Sequence, residues 1–164
     1  MSAHQQSWFD VDTVARYLYH LNRSISPLKL QKSLYFLFAY HGALYARQPE
    51  EGKFEGSVEN PRWLFDARFE AWQYGPVIRD VWHKEKAGTY LNSDLIRDAV
   101  DRIEHEQEIM RFIGELFPQI DVVSDFQLVE RSHADECWKE AYKQGRSTLM
   151  DNEAIIAEYV ARYV

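Results

Sequence analysis

Ser26 to Ala46 reads SPLKLQKSLYFLFAYHGALYA, and this stretch decides the fold class. Ser26 is a good helix N-cap, and Pro27 suits the first helical position, where a missing N–H costs nothing. Beyond them Leu28, Leu30, Leu34, Tyr35, Phe36, Leu37, Phe38 and Ala39 leave no wide polar face. A helix that is apolar all round is covered on several sides. The pattern therefore predicts a central helix from Leu28 to about Ala46 with other elements packed around it. Lys29, Gln31 and Lys32 are the only strongly polar residues on its first turns. Two lysines there either emerge into solvent at that end or meet carboxylates, there or on a partner.

Working outward, Asp10 caps a helix in which Val11, Val14, Ala15, Leu18 and Leu21 recur at helical spacing. Residues 47–61, with Pro49, Gly52, Gly56 and Asn60, read as a long surface loop. Trp63 to Phe65 and Phe69 to Tyr74 flank Asp66-Ala67-Arg68, which predicts a small β-hairpin. Gly75-Pro76 ends the extended stretch and starts a short helix with Val77, Val81 and Trp82 inward. From Asn92 to Phe117, the spacing of Leu95, Ala99, Ile103, Met110, Ile113 and Phe117 predicts one long helix, stopped by Pro118. Its outer surface carries seven acids against three arginines. Further helices are predicted after Ser124-Asp125, around Trp138 from Ala134 to Tyr142, and after Asp151 with Ile155, Ile156, Tyr159 and Val160. The expected fold is mainly α: a compact helical domain around a central apolar helix, with a small β-hairpin. Residues 1–9 read as an N-terminal extension and 10–164 as one domain.

Composition narrows the class. A chain of 164 residues suits a single core, and 46% hydrophobic with 15% aromatic residues excludes a disordered chain. Cys137 is the sole cysteine, so no intrachain disulfide forms and a cysteine-based zinc site lacks its ligands. Met1 to Phe9 carries no export pattern, and Leu34 to Tyr40 is far shorter than the roughly 20 apolar residues of a membrane span. A cytoplasmic protein without a membrane partner is expected. A net charge of −7 opposes a phosphate backbone, and no Lys/Arg run with interleaved aromatics offsets it. Nucleic acid is not the expected partner.

Catalytic templates fit poorly. The chain has no Gly-rich phosphate loop, no His-Glu-x-x-His pair and no Gly-x-Ser-x-Gly elbow. His133 and Cys137, four apart, share a helix face in this reading, but the other histidines are scattered. A buried thiol and a backbone-bonded histidine are the favoured reading. Asp66 and Glu70 read as solvated carboxylates near a turn. No enzymatic activity, cofactor, metal or catalytic residue is expected.

Three segments carry a resemblance. Ser26-Pro27-Leu28-Lys29-Leu30-Gln31-Lys32-Ser33-Leu34-Tyr35, then Phe65-Asp66 with Phe69 to Val77, and finally Ser132-His133 with Trp138 resemble the Panacea domain of SocA-like antitoxins and phage-associated GepA-type proteins. Ser132 stands where the family would carry Thr, and Cys137 where it would carry Pro. The resemblance implies a helical bacterial or phage antitoxin that binds the protein toxin encoded beside it. It also implies that Pro27, Leu30, Gln31, Lys32, Leu34, Tyr35, Trp72, Tyr74, Gly75, Pro76, Val77, His133 and Trp138 belong to a shared scaffold. Partner-contacting residues are then sought on variable outer faces. Asp98, Asp101 and Glu108 form the first candidate, because acids suit a basic toxin site; an ordinary solvated face is the other reading. Trp63 and Trp82, with Tyr90, form the second candidate, against simple core packing. A regulator of its own operon or an adaptor delivering a partner to a protease is the alternative function. A small hydrolase using Asp66, Glu70 and His133 is a third.

Overall fold

The computed structural model describes residues 7–46 and 61–163, and the expected loop at 47–61 falls almost wholly outside them. The chain runs β1 (Ser7–Asp10), α1 (Val11–Leu21), α2 (Pro27–Ala46), β2 (Trp63–Asp66), β3 (Glu70–Trp72) and β4 (Gly75–Val77). It continues through α3 (Arg79–Lys86), a 3-10 turn at Thr89–Leu91, α4 (Ser93–His105), α5 (Gln107–Asp121), α6 (Asp125–His133), α7 (Glu136–Gln144), β5 (Thr148–Leu149) and α8 (Asn152–Tyr163). The fold is mainly α, as the sequence predicts.

The central helix is α2. It touches α1, α3, α5, α6, α8, β2 and β4, which explains why it has no polar face. Leu30, Leu34, Tyr35, Leu37, Phe38 and Ala39 are wholly buried. Ser26 Oγ caps the helix by accepting the Lys29 N–H at 3.0 Å, and donates to Asp125 Oδ2 at 2.7 Å. One hydroxyl thus fixes both the start of α2 and its junction with α6.

The strands differ from expectation. Trp63–Asp66 is not half of a hairpin; it pairs in parallel with β1, Phe9 opposite Phe65. The hairpin is β3–β4, joined by Gln73-Tyr74, with Ala71 opposite Pro76 and Trp72 opposite Gly75. Gly75-Pro76 therefore belongs to a strand instead of ending one. Pro76 is tolerated because β4 is the edge in the order β4-β3-β5. Asp66 and Glu70 consequently lie on different sheets.

The long helix predicted over 92–117 is two. Glu106, at φ −103° and ψ 83°, separates α4 from α5. The break shifts the buried register: Ile96, Ala99 and Ile103 are followed by Ile109, Ile113, Phe117 and Ile120. Ile103 to Ile109 is six residues, out of phase with two helical turns. Met110 is only half-buried as a result, and within α4 Ile96 takes the inner place expected of Leu95, which is exposed. Pro118 does not stop α5, which runs on to Asp121. The carbonyl that it leaves unbonded belongs to Gly114, an exposed residue open to solvent.

Where α2 crosses α8, Gly42 permits the approach. A Cβ there would overlap Ile156 Cγ1 and lie 2.7 Å from its Cδ1. Gly42→Ala is expected to destabilise the fold by about 1–3 kcal/mol. In an Ile156→Ala background, which removes the obstructing atoms, the same change should cost little. Urea unfolding of the four proteins checks the coupling; additive effects would contradict this packing.

Candidate functional site

Three sequence-distant segments converge on the β3–β4 hairpin, and they do so through its main chain. From α2, Gln31 accepts the Ile78 N–H at 2.8 Å and donates to the Ile78 carbonyl at 3.2 Å. Lys32 Nζ donates to the Pro76 carbonyl at 3.1 Å. From α6, His133 Nε2–H donates to the Gln73 carbonyl at 2.8 Å. From α7, Trp138 Nε1 donates to the Trp72 carbonyl at 3.0 Å, and its ring stacks on His133 with centroids 4.2 Å apart. Gly75 sits inside this frame at φ +107°, and a Cβ there would overlap Ser132 Oγ and come within 2.6 Å of Lys32 Cε. Only glycine fits both the backbone and the space.

Beside the frame lies a cavity of about 350 Å³, lined by Pro27, Leu28, Gln31, Lys32, Trp72, Gln73, Tyr74, Val77 and Trp82. Trp72 and Trp82 approach with ring centroids 5.8 Å apart. Arg79 covers the Trp72 ring at 5.3 Å and Lys86 the Trp82 ring at 4.7 Å. Glu70 fixes this wall by accepting from Trp72 Nε1 at 2.9 Å and from two Arg79 nitrogens at 3.0 and 2.9 Å.

Lys32 does not emerge into solvent, the first course expected of it. Its side chain is 1% exposed, and no carboxylate among the described residues pairs with it. Burial alone pushes its amine down to about 7. Lys29 takes the other course, donating to the Asp121 carbonyl at 2.6 Å beside the Asp121 carboxylate at 3.8 Å.

The remaining predicted residues divide. Leu30, Leu34, Tyr35, Pro76 and Val77 are buried, whereas Pro27 is exposed, Trp72 and His133 are half-buried, and Tyr74 is 59% exposed. Asp98, Asp101 and Glu108 are exposed, but the break at Glu106 places Glu108 on a different helix from the other two. Trp63 packs on Phe38 from β2, so it does not join Trp82 in one patch. Tyr90, 1% exposed and bonded to Asp12 at 2.7 Å, is a core residue.

His133 and Cys137 are on different helices with different partners. The Cys137 thiol lies 3.4 Å from Tyr35 Oη, and burial raises it to about 12, far from a reactive thiolate. Sequence reasoning missed Asp135. This buried carboxylate accepts from Tyr35 at 2.5 Å, Tyr159 at 2.7 Å and Arg162 at 3.0 Å, tying α2 to α7 and α8. Burial raises its pKa, while the two tyrosine hydroxyls and Arg162 oppose that shift. Its one sequence signal is its place at the N-cap of α7.

A family model for SocA-like antitoxins, Panacea domain, matches residues 57–139. The chain belongs to this family. No curated protein and no solved structure matches it. The matched part of the Panacea domain includes the hairpin, α3 and α6, and hence Trp72, Tyr74, Trp82 and His133. Gln31 and Lys32 precede the matched residues, and the structure docks them on the hairpin. Among the described residues, no helix of this Panacea protein is long and apolar enough to cross a membrane.

The depressed Lys32 amine makes stability depend on pH. Between about pH 7 and 10.5 the unfolded chain keeps a proton that the folded chain releases, so stability rises with pH there; below about 7 the penalty is constant. Relative to Lys32→Met, the wild type should therefore gain about 1 kcal/mol per pH unit from pH 7.5 to 9.5. Paired denaturant melts check this, and a pH-independent difference would contradict the burial of the charge.

Proposed function

We propose that this protein neutralises a cognate toxin, encoded nearby and present with it in the cytoplasm, by direct protein–protein contact and without catalysis. The observation that carries this reading is its membership of the SocA-like antitoxin family through residues 57–139. The aromatic cavity supports it, because that matched segment presents Trp72, Tyr74 and Trp82 together on one surface. Half-exposed aromatic side chains on a rigid support are efficient interface anchors. The support here is rigid because the hairpin main chain is held from two sides. The residues most suited to acid–base work are already engaged: His133 holds Gln73, and Glu70 holds Arg79.

The cavity is a better anchor than the acidic residues of α4 and α5. Asp94 is paired with Arg97, and the acids are spread over two helices in solvent, where each contributes little.

Expression of the neighbouring gene should arrest growth, and co-expression of this chain should restore it, with a stable complex on size exclusion. Trp82→Ala with Tyr74→Ala should abolish rescue while leaving the melting temperature near wild type. Asp98→Lys, Asp101→Lys and Glu108→Lys together should leave rescue intact. The reverse pattern would move the interface to the acidic helices, and rescue without a complex would refute direct binding.

A further inference from the structure

The cavity beside the hairpin has apolar walls and one charged group. Trp72, Trp82 and Val77 supply the walls, and among the described residues that line it Lys32 alone carries an amine or carboxyl group. Among the described residues no carboxylate lines it, in a chain whose net charge is −7. Lys86, stacked on Trp82, adds to the local positive potential, whereas the charge of Arg79 on Trp72 is offset by its ion pair with Glu70. The Lys32 ammonium has three donors, and the described residues use one, toward Pro76. A buried ammonium with unused donors is costly unless something accepts from it.

We infer that this cavity receives a glutamate side chain of the protein partner, its methylenes against Trp72 and Trp82 and its carboxylate on Lys32. The choice of glutamate follows from shape. Lys32 is 1% exposed, so an anion reaches it only on a stem that passes apolar walls. Glutamate presents two methylenes to those walls, against one in aspartate. A carboxylate on Lys32 also restores the charge that burial suppresses, since the amine of the free protein is lowered to about 7. Shape and charge then act together: the walls favour an apolar stem and the floor rejects a neutral tip.

This inference rests on the reading of the chain as a binding module, and its test needs no toxin. The full-length protein is titrated with three peptides: acetyl-Leu-Glu-Phe-amide, acetyl-Leu-Gln-Phe-amide and acetyl-Leu-Phe with a free C-terminal carboxylate. Binding is followed through the indole N–H resonances of Trp72 and Trp82. The glutamate peptide should shift both saturably and bind roughly tenfold or more tightly than the glutamine peptide, as a charge-assisted hydrogen bond implies. Lys32→Met should remove that preference while leaving the weaker apolar binding.

Equal affinity for the glutamate and glutamine peptides, shifts confined to other residues, no shift at all, or a preference for the free C-terminal carboxylate would each overturn the assignment. The comparison of peptides on wild-type protein stands even if Lys32→Met does not fold. Loss of the glutamate preference refutes this occupant alone, whereas absence of rescue by co-expression refutes the antitoxin reading alone.

Discussion

The β3–β4 hairpin is held by its carbonyls. Trp138, His133, Lys32 and Gln31 take the carbonyls of Trp72, Gln73, Pro76 and Ile78 in chain order. A two-strand hairpin of three-residue strands is marginal by itself. Clamped between α2 on one side and α6 and α7 on the other, it becomes a fixed platform. Gly75 is the point where the clamp closes, and the space for a side chain there is already filled by Lys32 and Ser132. The rest of the fold serves this junction: β5 flanks β3, and α3 carries Trp82 to the cavity.

Two polar nodes divide the work of α2. Gln31 and Lys32 face the hairpin, while Tyr35, four residues after Gln31 and so on the same side one turn along, reaches Asp135. At Asp135 the donors of Tyr35, Tyr159 and Arg162 surround one carboxylate, so the cost of burying its charge is partly offset. At Lys32 a single carbonyl meets the ammonium. The first charge has several partners and the second has one. That asymmetry marks the Lys32 end as the part of the molecule kept for a ligand.

Local patterns in the sequence carried the central helix and most helix starts. Ser26-Pro27, Ser124 and Asp151 are capping signals within a few residues of the helices they begin, and each occupies the expected place. The phase of the 92–117 region was not legible, because a one-residue reset at Glu106 leaves both halves amphipathic and only their relative register altered. The strand pairing failed for another reason. β2 pairs with β1, more than fifty residues away, in a stretch read mostly as an N-terminal extension, and Gly75-Pro76 resembles a terminator unless the strand is known to be an edge. Asp135 and Tyr35 are 100 residues apart, and no periodicity within either helix reports their contact. The motif residues were visible one at a time in the sequence, whereas the clamp that they form around Gly75 exists only in three dimensions.

Everything attributed to the cavity depends on Lys32 being buried without an anionic partner in the free protein. The most direct measurement is an NMR titration of the Lys32 side chain, with Cε and Nζ resonances assigned by comparison with Lys32→Met. A midpoint near 7 is the expected result. A midpoint near the ordinary lysine value of 10.5 would mean that the amine is solvated or paired, and would contradict the site.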